Sequence, residues 1–298
     1  MRIGILLFDD VDLLDVGGPY EVFLTASRLV ERDGGERPFD VITIGSGAVT
    51  AYGGLGLTPS HAVGDVDRLD LLVVPGAIAI DRVVSDPAVV AAAELLTGRS
   101  EVTASVCTGA FLLGRLGLLE GIGWTTHFED VADLAGATGS DRGVVAPWVD
   151  EGDVVTAGGL SSGIAMALHL VQRFQGRELA LRTARQLQYA WSPSGGEYAV
   201  VVLVWAGPEG REALHAYERS IVPLVEAHGG SFEAIVEPTR VTGWEDAHPD
   251  ELHVLVFPDE EAFAGYLADP RREGLATGRE RAVARAVVFE GVRTTDFG

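Results

Sequence analysis

The stretch Glu101-Val102-Thr103-Ala104-Ser105-Val106-Cys107-Thr108-Gly109-Ala110-Phe111-Leu112-Leu113-Gly114-Arg115-Leu116 decides the fold. Residues 101–106 are a β-like run and residues 109–116 a helical one; Cys107, the single cysteine of the 298 residues, stands where they meet. A sharp strand-to-helix turn pushes its apex side chain into a cleft and aims the N–H groups of the following helix at it. The positive end of a helix lowers a thiol pKa, and the thiolate is the reactive form, so the junction reads as a cysteine nucleophile elbow. A lone cysteine can equally be a small buried hydrophobe. Ser105, Thr108, Gly109 and Ala110 crowd this turn with small residues, which a tight elbow requires and an ordinary core position does not.

Short β-branched runs alternate with longer helical stretches up to about residue 190. The pattern predicts strands at Ile3–Phe8, Phe39–Ile44, Leu69–Val74, Glu101–Val106, Gly123–Thr126 and Val154–Ala157, with helices such as Tyr20–Arg32, Pro87–Leu96, Ala110–Leu119 and a long one over Gly163–Tyr189. Such a βαβα order implies an α/β fold, an open and mostly parallel sheet covered by helices, in which ligands bind beyond the carboxyl ends of the strands. Residues 191–197 read as a linker by composition. A second pattern follows over 198–298: strand Tyr198–Trp205, helix Gly210–His228, strands Ser231–Glu237 and Leu252–Phe257, helix Glu260–Leu267 and strand Ala286–Gly291, the βαββαβ order of an α+β ferredoxin-like domain.

Composition narrows the chemistry. A net charge of −22 argues against nucleic acid as a partner. The chain has no Lys and no Asn, which excludes Schiff-base chemistry and a Cys-His-Asn triad. One cysteine forms no internal disulfide. Residues 1–8 lack the length and cleavage site of a signal peptide, and no apolar run reaches the ~20 residues of a membrane span, so a cytoplasmic protein with no membrane partner is expected. The seven histidines look scattered, those of residues 198–298 show no constellation, and neither a metal nor a cofactor is expected.

Several residues share the predicted sheet edge with Cys107. Asp15 follows the first strand among apolar neighbours and is either a helix cap or a functional acid; beside a thiolate its pKa rises and it can deliver a proton. Gly76 and Ala77, in Pro75-Gly76-Ala77, form either an ordinary βα turn or, with the Thr108 N–H, a cradle for a developing anion. His127 closes the predicted strand Gly123–Thr126 and is either a hydrogen-bonded core residue or a group facing the cleft. His169 reads as structural, and Thr156–Gly163 as a tight strand-to-helix turn rather than a phosphate loop.

Taken together, Leu14-Asp15-Val16-Gly17-Gly18-Pro19, Ser105-Val106-Cys107-Thr108-Gly109-Ala110, Trp124-Thr125-Thr126-His127 and Thr156-Ala157-Gly158-Gly159 resemble the DJ-1/PfpI superfamily, and within it the isonitrile hydratase branch. The resemblance covers about residues 1–190 and implies a flavodoxin-like sandwich with a carboxylate close to the elbow cysteine. That carboxylate is typically Glu in the protease- and chaperone-like branches and Asp in the hydratases; protease-like members place His where this chain has Thr108. Two positions depart from the branch: Ala77 stands where Pro-Gly-Gly is usual, and Ala165 where Asp usually follows Gly-Ile. Residues 198–293 are similar to small dimeric α/β-barrel domains, which implies a homodimer and assigns no reaction.

The resemblance implies a cysteine-dependent hydro-lyase that adds water to an isonitrile, giving an N-substituted formamide through a thioimidate on Cys107. Asp15 would then be the proton donor, Thr108 and the Gly76–Ala77 turn would hold the polar intermediate, and His127 would orient water or substrate. Two other readings stay open: another cysteine-dependent hydratase or lyase, glyoxalase-like or tailoring a secondary metabolite, and a non-catalytic redox sensor built on Cys107.

Overall fold

Arg2–Leu6 forms β1, and four of its five residues are buried, as expected of a strand covered on both faces. The structure, a computed structural model, describes residues 1–192, 198–240 and 248–292. It divides into two compact units, Met1–Ala190 and Trp191–Gly298. Of the expected linker, residues 193–197 lie outside the described residues.

The first unit continues through α1 (Leu13–Arg32), β2 (Asp40–Gly45), the small hairpin β3 (Val49–Thr50) and β4 (Gly56–Leu57), β5 (His61–Ala62) and β6 (Leu69–Val74). Then follow α2 (Ile80–Ser85), α3 (Pro87–Thr97), β7 (Ser100–Val106), α4 (Ala110–Arg115), α5 (Val131–Thr138), β8 (Trp148–Asp150), β9 (Val154–Ala157), α6 (Ser162–Gln175) and α7 (Arg177–Gln186). The sheet has seven strands in the order β5-β2-β1-β6-β7-β9-β8, parallel except for the β8–β9 edge. Helices α1, α6 and α7 pack together, while α3 lies against β6 and β7. This is the expected flavodoxin-like α/β arrangement. The order reverses beside β1, and the loops after β1, β6 and β7 meet at that switch point.

Three local expectations are corrected. Gly123–Thr126 is not a strand: Trp124 makes only an isolated bridge to Gly143, because β8 occupies the edge beside β9. Helix α1 begins seven residues before Tyr20, since the Asp12 side chain accepts the Leu14 N–H at 3.0 Å and caps it there; Pro19 lies inside the helix rather than at its start. The long helix expected over Gly163–Tyr189 breaks into α6 and α7 at Gly176, whose φ is 91°.

In the second unit, β10 (Tyr198–Ala206), α8 (Gly210–Ala227), β11 (Ser231–Val236), β12 (Glu251–Phe257), α9 (Glu260–Leu267), α10 (Ala276–Ala282) and β13 (Val283–Val292) follow in turn. They build an antiparallel sheet in the order β11-β12-β10-β13. Its core is Val200, Leu224, Val225, Leu255, Phe257 and Phe263, with neighbours packed around them. Among the described residues no helix is long and apolar enough to cross a membrane.

The close approach of the elbow to β6 makes a testable demand. A Cβ on Gly109 would lie 2.3 Å from the Val74 carbonyl oxygen, whereas one on Gly136, inside α5, meets nothing within 4 Å. Gly109→Ala is expected to destabilise the first unit by about 1–3 kcal/mol, and Gly136→Ala to stabilise it by up to about 1 kcal/mol. Urea unfolding followed by tryptophan fluorescence reads both; an unchanged midpoint for Gly109→Ala contradicts the packing described.

Candidate active site

Cys107 leaves β7 with φ of 57°, a left-handed conformation that residues other than glycine seldom adopt. Its N–H donates to the Gly158 carbonyl at 3.0 Å, and its own carbonyl accepts the Thr126 hydroxyl at 2.8 Å. These two bonds tie the elbow to the loops on either side of β8 and β9. A single 3-10 turn, Cys107–Gly109, leads into α4, and the Thr108 N–H is directed at the thiol.

Asp15 sits in the first turn of α1 and is fully buried. Its Oδ2 accepts the Gly76 N–H at 3.0 Å. The Leu160 N–H and the Cys107 thiol also approach the carboxyl, although Oδ1 has no partner of full hydrogen-bond geometry. Burial, reinforced by the charge of Asp12, outweighs those hydrogen bonds and pushes the carboxyl up to about 7. Burial, followed by the charge of Asp15, pushes the Cys107 thiol up to about 12. The expected lowering of the thiol pKa is therefore overturned. Helix α4 has only six residues, so its end field is weak, and one N–H from Thr108 does not offset desolvation beside a carboxylate.

Thr108 is buried and clamps the neighbouring turn: its Oγ1 donates to the Ala77 carbonyl at 2.8 Å and accepts the Ala77 N–H at 2.9 Å. Gly76 fits beneath it because a Cβ there would come within 2.6 Å of Thr108 Oγ1 and 3.0 Å of Asp15 Oδ2. Two of the three N–H groups of the expected anion cradle are thus engaged, Gly76 by Asp15 and Ala77 by Thr108, and the third, that of Thr108, faces the thiol. The turn positions the acid and the elbow rather than presenting free donors.

His127 does not end a strand. It begins the 3-10 turn Phe128–Asp130, its Nδ1 lies 3.3 Å from the Asp130 carboxylate, and its ring rests on Gly159, where a Cβ would be 2.2 Å from Cδ2. Among the described residues it forms no hydrogen bond to Cys107 or Asp15. His169 is structural, hydrogen-bonded to Asp150 at 2.7 Å and stacked on Trp148.

Gly158, Leu160 and Thr126 escaped the sequence reading as site residues. Each acts through a backbone group or a hydroxyl that holds the backbone, and Leu160 adopts φ of 53°, which no residue spacing announces. The second unit also corrects an expectation: His215, Glu218, Glu251 and His253 converge there. The legible signal was spacing, since His215 and Glu218 lie three apart on a helix and Glu251 and His253 two apart on a strand.

Residues 1–173 match the DJ-1/PfpI family. The isonitrile hydratase of Pseudomonas putida is 32% identical over 199 residues, which is 65% of this chain and 80% of that one. The HTH-type transcriptional regulator GbdR of Pseudomonas aeruginosa is 28% identical over 188 residues, 63% of this chain and 50% of the regulator. Among solved structures, a THiJ/PfpI family protein from Pseudomonas syringae superposes with a TM-score of 0.56 at 20% identity, covering 76% of this chain and 86% of its own. An AraC family transcriptional regulator from Pseudomonas putida gives 0.51 at 24% identity, covering 62% and 98%. With its elbow cysteine, its switch-point acid and more than half its length matched, the chain belongs to the DJ-1/PfpI family.

Proposed function

We propose that the first unit hydrates an isonitrile to the N-substituted formamide, with Cys107 as nucleophile and Asp15 as the group that moves protons. The observation that carries this reading is the buried Asp15–Cys107 pair. A carboxyl near 7 is poised both to give and to take a proton at neutral pH, and the thiol beside it is held protonated. Similarity to an isonitrile hydratase supports the same chemistry.

In the first half-reaction Asp15 takes the Cys107 proton and passes it to the terminal isonitrile carbon while Sγ bonds to that carbon. The product is the thioimidate R–N=CH–S–Cys107. Asp15 then takes a proton from water and hands it to the nitrogen as the water oxygen adds to the same carbon. The adduct R–NH–CH(OH)–S–Cys107 collapses: Asp15 takes the hydroxyl proton, the C–S bond breaks, the sulfur receives that proton from Asp15, and R–NH–CHO leaves. Thr108 directs its N–H at the sulfur that must leave, and His127 forms a wall of the site near Gly159. A redox-sensor role fits less well, since sensor thiols are low-pKa groups and this one is pushed up.

For the second unit we propose a ferredoxin-like domain that pairs with a second copy of the chain through the sheet face away from α8. The Val200, Val202 and Val204 face of β10 is turned toward the helix side, yet the alternate residues Val201, Leu203 and Trp205 are apolar too. On that second face Phe289 pairs with Val201 and is 56% exposed. Leu203 and Trp205 are already buried, Trp205 under the Arg285 guanidinium, so it is the exposed Phe289 end of this apolar face that calls for a cover. The charge of −22 supports a partner other than nucleic acid, and similarity to an isonitrile hydratase supports a small-molecule substrate.

Three outcomes are expected. With a simple alkyl isonitrile, wild type forms the formamide by mass spectrometry, Cys107→Ala forms none, and Asp15→Asn is slowed about 10²–10⁴-fold; no product from wild type overturns the reaction. A carboxyl whose folded pKa exceeds its unfolded one binds more protons in the native state between about pH 4 and pH 7, so stability falls as pH rises through that window. Asp15→Asn should therefore melt above wild type at neutral pH, by a margin that shrinks toward about pH 4; a margin independent of pH contradicts the buried, raised carboxyl. In light scattering after size exclusion the chain should run as a dimer and Phe289→Glu as a monomer, and a monomeric wild type removes the pairing.

A further inference from the structure

Helix α8 and strand β12 bring four titratable side chains to one place in the second unit. His215 Nε2 lies 2.8 Å from Glu251 Oε1, and His253 Nε2 lies 2.9 Å from Glu251 Oε2 and 2.9 Å from Glu218 Oε1. One donor atom each from His215, Glu218 and Glu251 falls within 4.8 Å of the others. Glu251 is 0% exposed, Glu218 7% and His253 5%, while the His215 side chain is 41% exposed.

Two carboxylates buried side by side are expensive unless a cation or proton compensates them. His253 compensates only in part. Its single Nε2–H serves Glu251, which leaves Glu218 Oε1 at ion-pair distance from the same nitrogen but without a hydrogen bond. Glu218 and His253 also reach a cavity of about 140 Å³ walled by Val200, Phe232, Leu255, Phe263 and Tyr266. That volume is close to the ~150 Å³ that accommodates a benzene-sized molecule.

We propose that His215, Glu218 and Glu251 form a site for one divalent transition-metal ion, with His253 as a positioning residue and one coordination position open to the cavity. An imidazole and two carboxylates are a borderline donor set that suits Zn²⁺, Co²⁺ or Mn²⁺. The dication neutralises both carboxylates, and the orphaned Glu218 oxygen gains a partner. His253, as the neutral tautomer with Nε2–H, orients the ligating carboxylates, the usual office of a hydrogen-bonding group behind a metal. The half-exposed His215 gives the ion a route from solvent. The site is separate from Cys107 and does not depend on the isonitrile reading.

The test uses the full, tag-free chain carrying Cys107→Ser, so that the lone thiol contributes no ligand. Co²⁺ is titrated in and read by its visible d–d absorption, and Zn²⁺ is followed by calorimetry. The expected result is a single ion per chain, with Zn²⁺ displacing Co²⁺, and loss of both signals in His215→Ala and in Glu218→Gln. His253→Gln, which keeps an N–H donor beside the carboxylates, should weaken binding about 10–100-fold. His215 is exposed enough for its truncation to leave the core intact, so that variant reads binding even where Glu218→Gln unfolds; circular dichroism checks each. Absence of stoichiometric binding overturns the proposal, as does binding that survives His215→Ala unchanged.

Discussion

Burial of the Asp15 carboxyl constrains everything around the elbow. A carboxylate with no exposure needs donors, and the first unit supplies one firm bond from Gly76 N–H, with the Leu160 N–H and the thiol of Cys107 close by. Each supplier dictates local structure. Gly76 must lack a side chain, Leu160 must take a left-handed φ, and Cys107 must sit on a strained turn held by Gly158 and Thr126. The strain persists because hydrogen bonds from three separate loops over-determine it, and such strain is commonly stored where chemistry is done. Supply still falls short of demand, which is why the acid stays near neutrality and the thiol stays protonated.

The fold was largely legible because its signals are periodic. Val102–Val106 followed by the small residues of the elbow predicts a strand meeting a helix, and β1, β2, β6, β7 and β9 all lie where β-branched runs placed them. The edge was not legible: Trp148–Asp150 is a three-residue strand with no period to read, and it displaced the more strand-like Gly123–Thr126. The residues Asp15, Cys107 and Thr108 were legible as chemistry, whereas the state of the pair was not. Sequence suggested a helix end that ionises the thiol; the structure reveals a short helix and a buried acid, and desolvation wins. In the same way, the turn at Gly76 and Ala77 looked like a source of free N–H donors until Thr108 and Asp15 were seen to occupy them.

Relatives of the first unit include an isonitrile hydratase and an HTH-type transcriptional regulator, and here the attached unit is an antiparallel sheet in which polar groups of one helix and one strand turn inward at one point. Glu218 and Glu251 are buried like Asp15, and Asp15 Oδ1 and Glu218 Oε1 each lack a hydrogen-bond partner, so both units share one physical theme: a carboxyl group taken out of water and left short of donors. In the first unit a thiol meets the shortfall, and in the second an imidazole does so in part.

The account stands most directly on the protonation of Asp15. A ¹³C NMR titration of the Asp15 carboxyl carbon in selectively labelled protein, assigned with Asp15→Asn, measures it. The account predicts a midpoint near pH 7, in keeping with a desolvated carboxyl beside a protonated thiol. A midpoint in the ordinary carboxylate range, near the unperturbed value of about 3.9, would contradict it and remove Asp15 as the group that carries protons to and from Cys107.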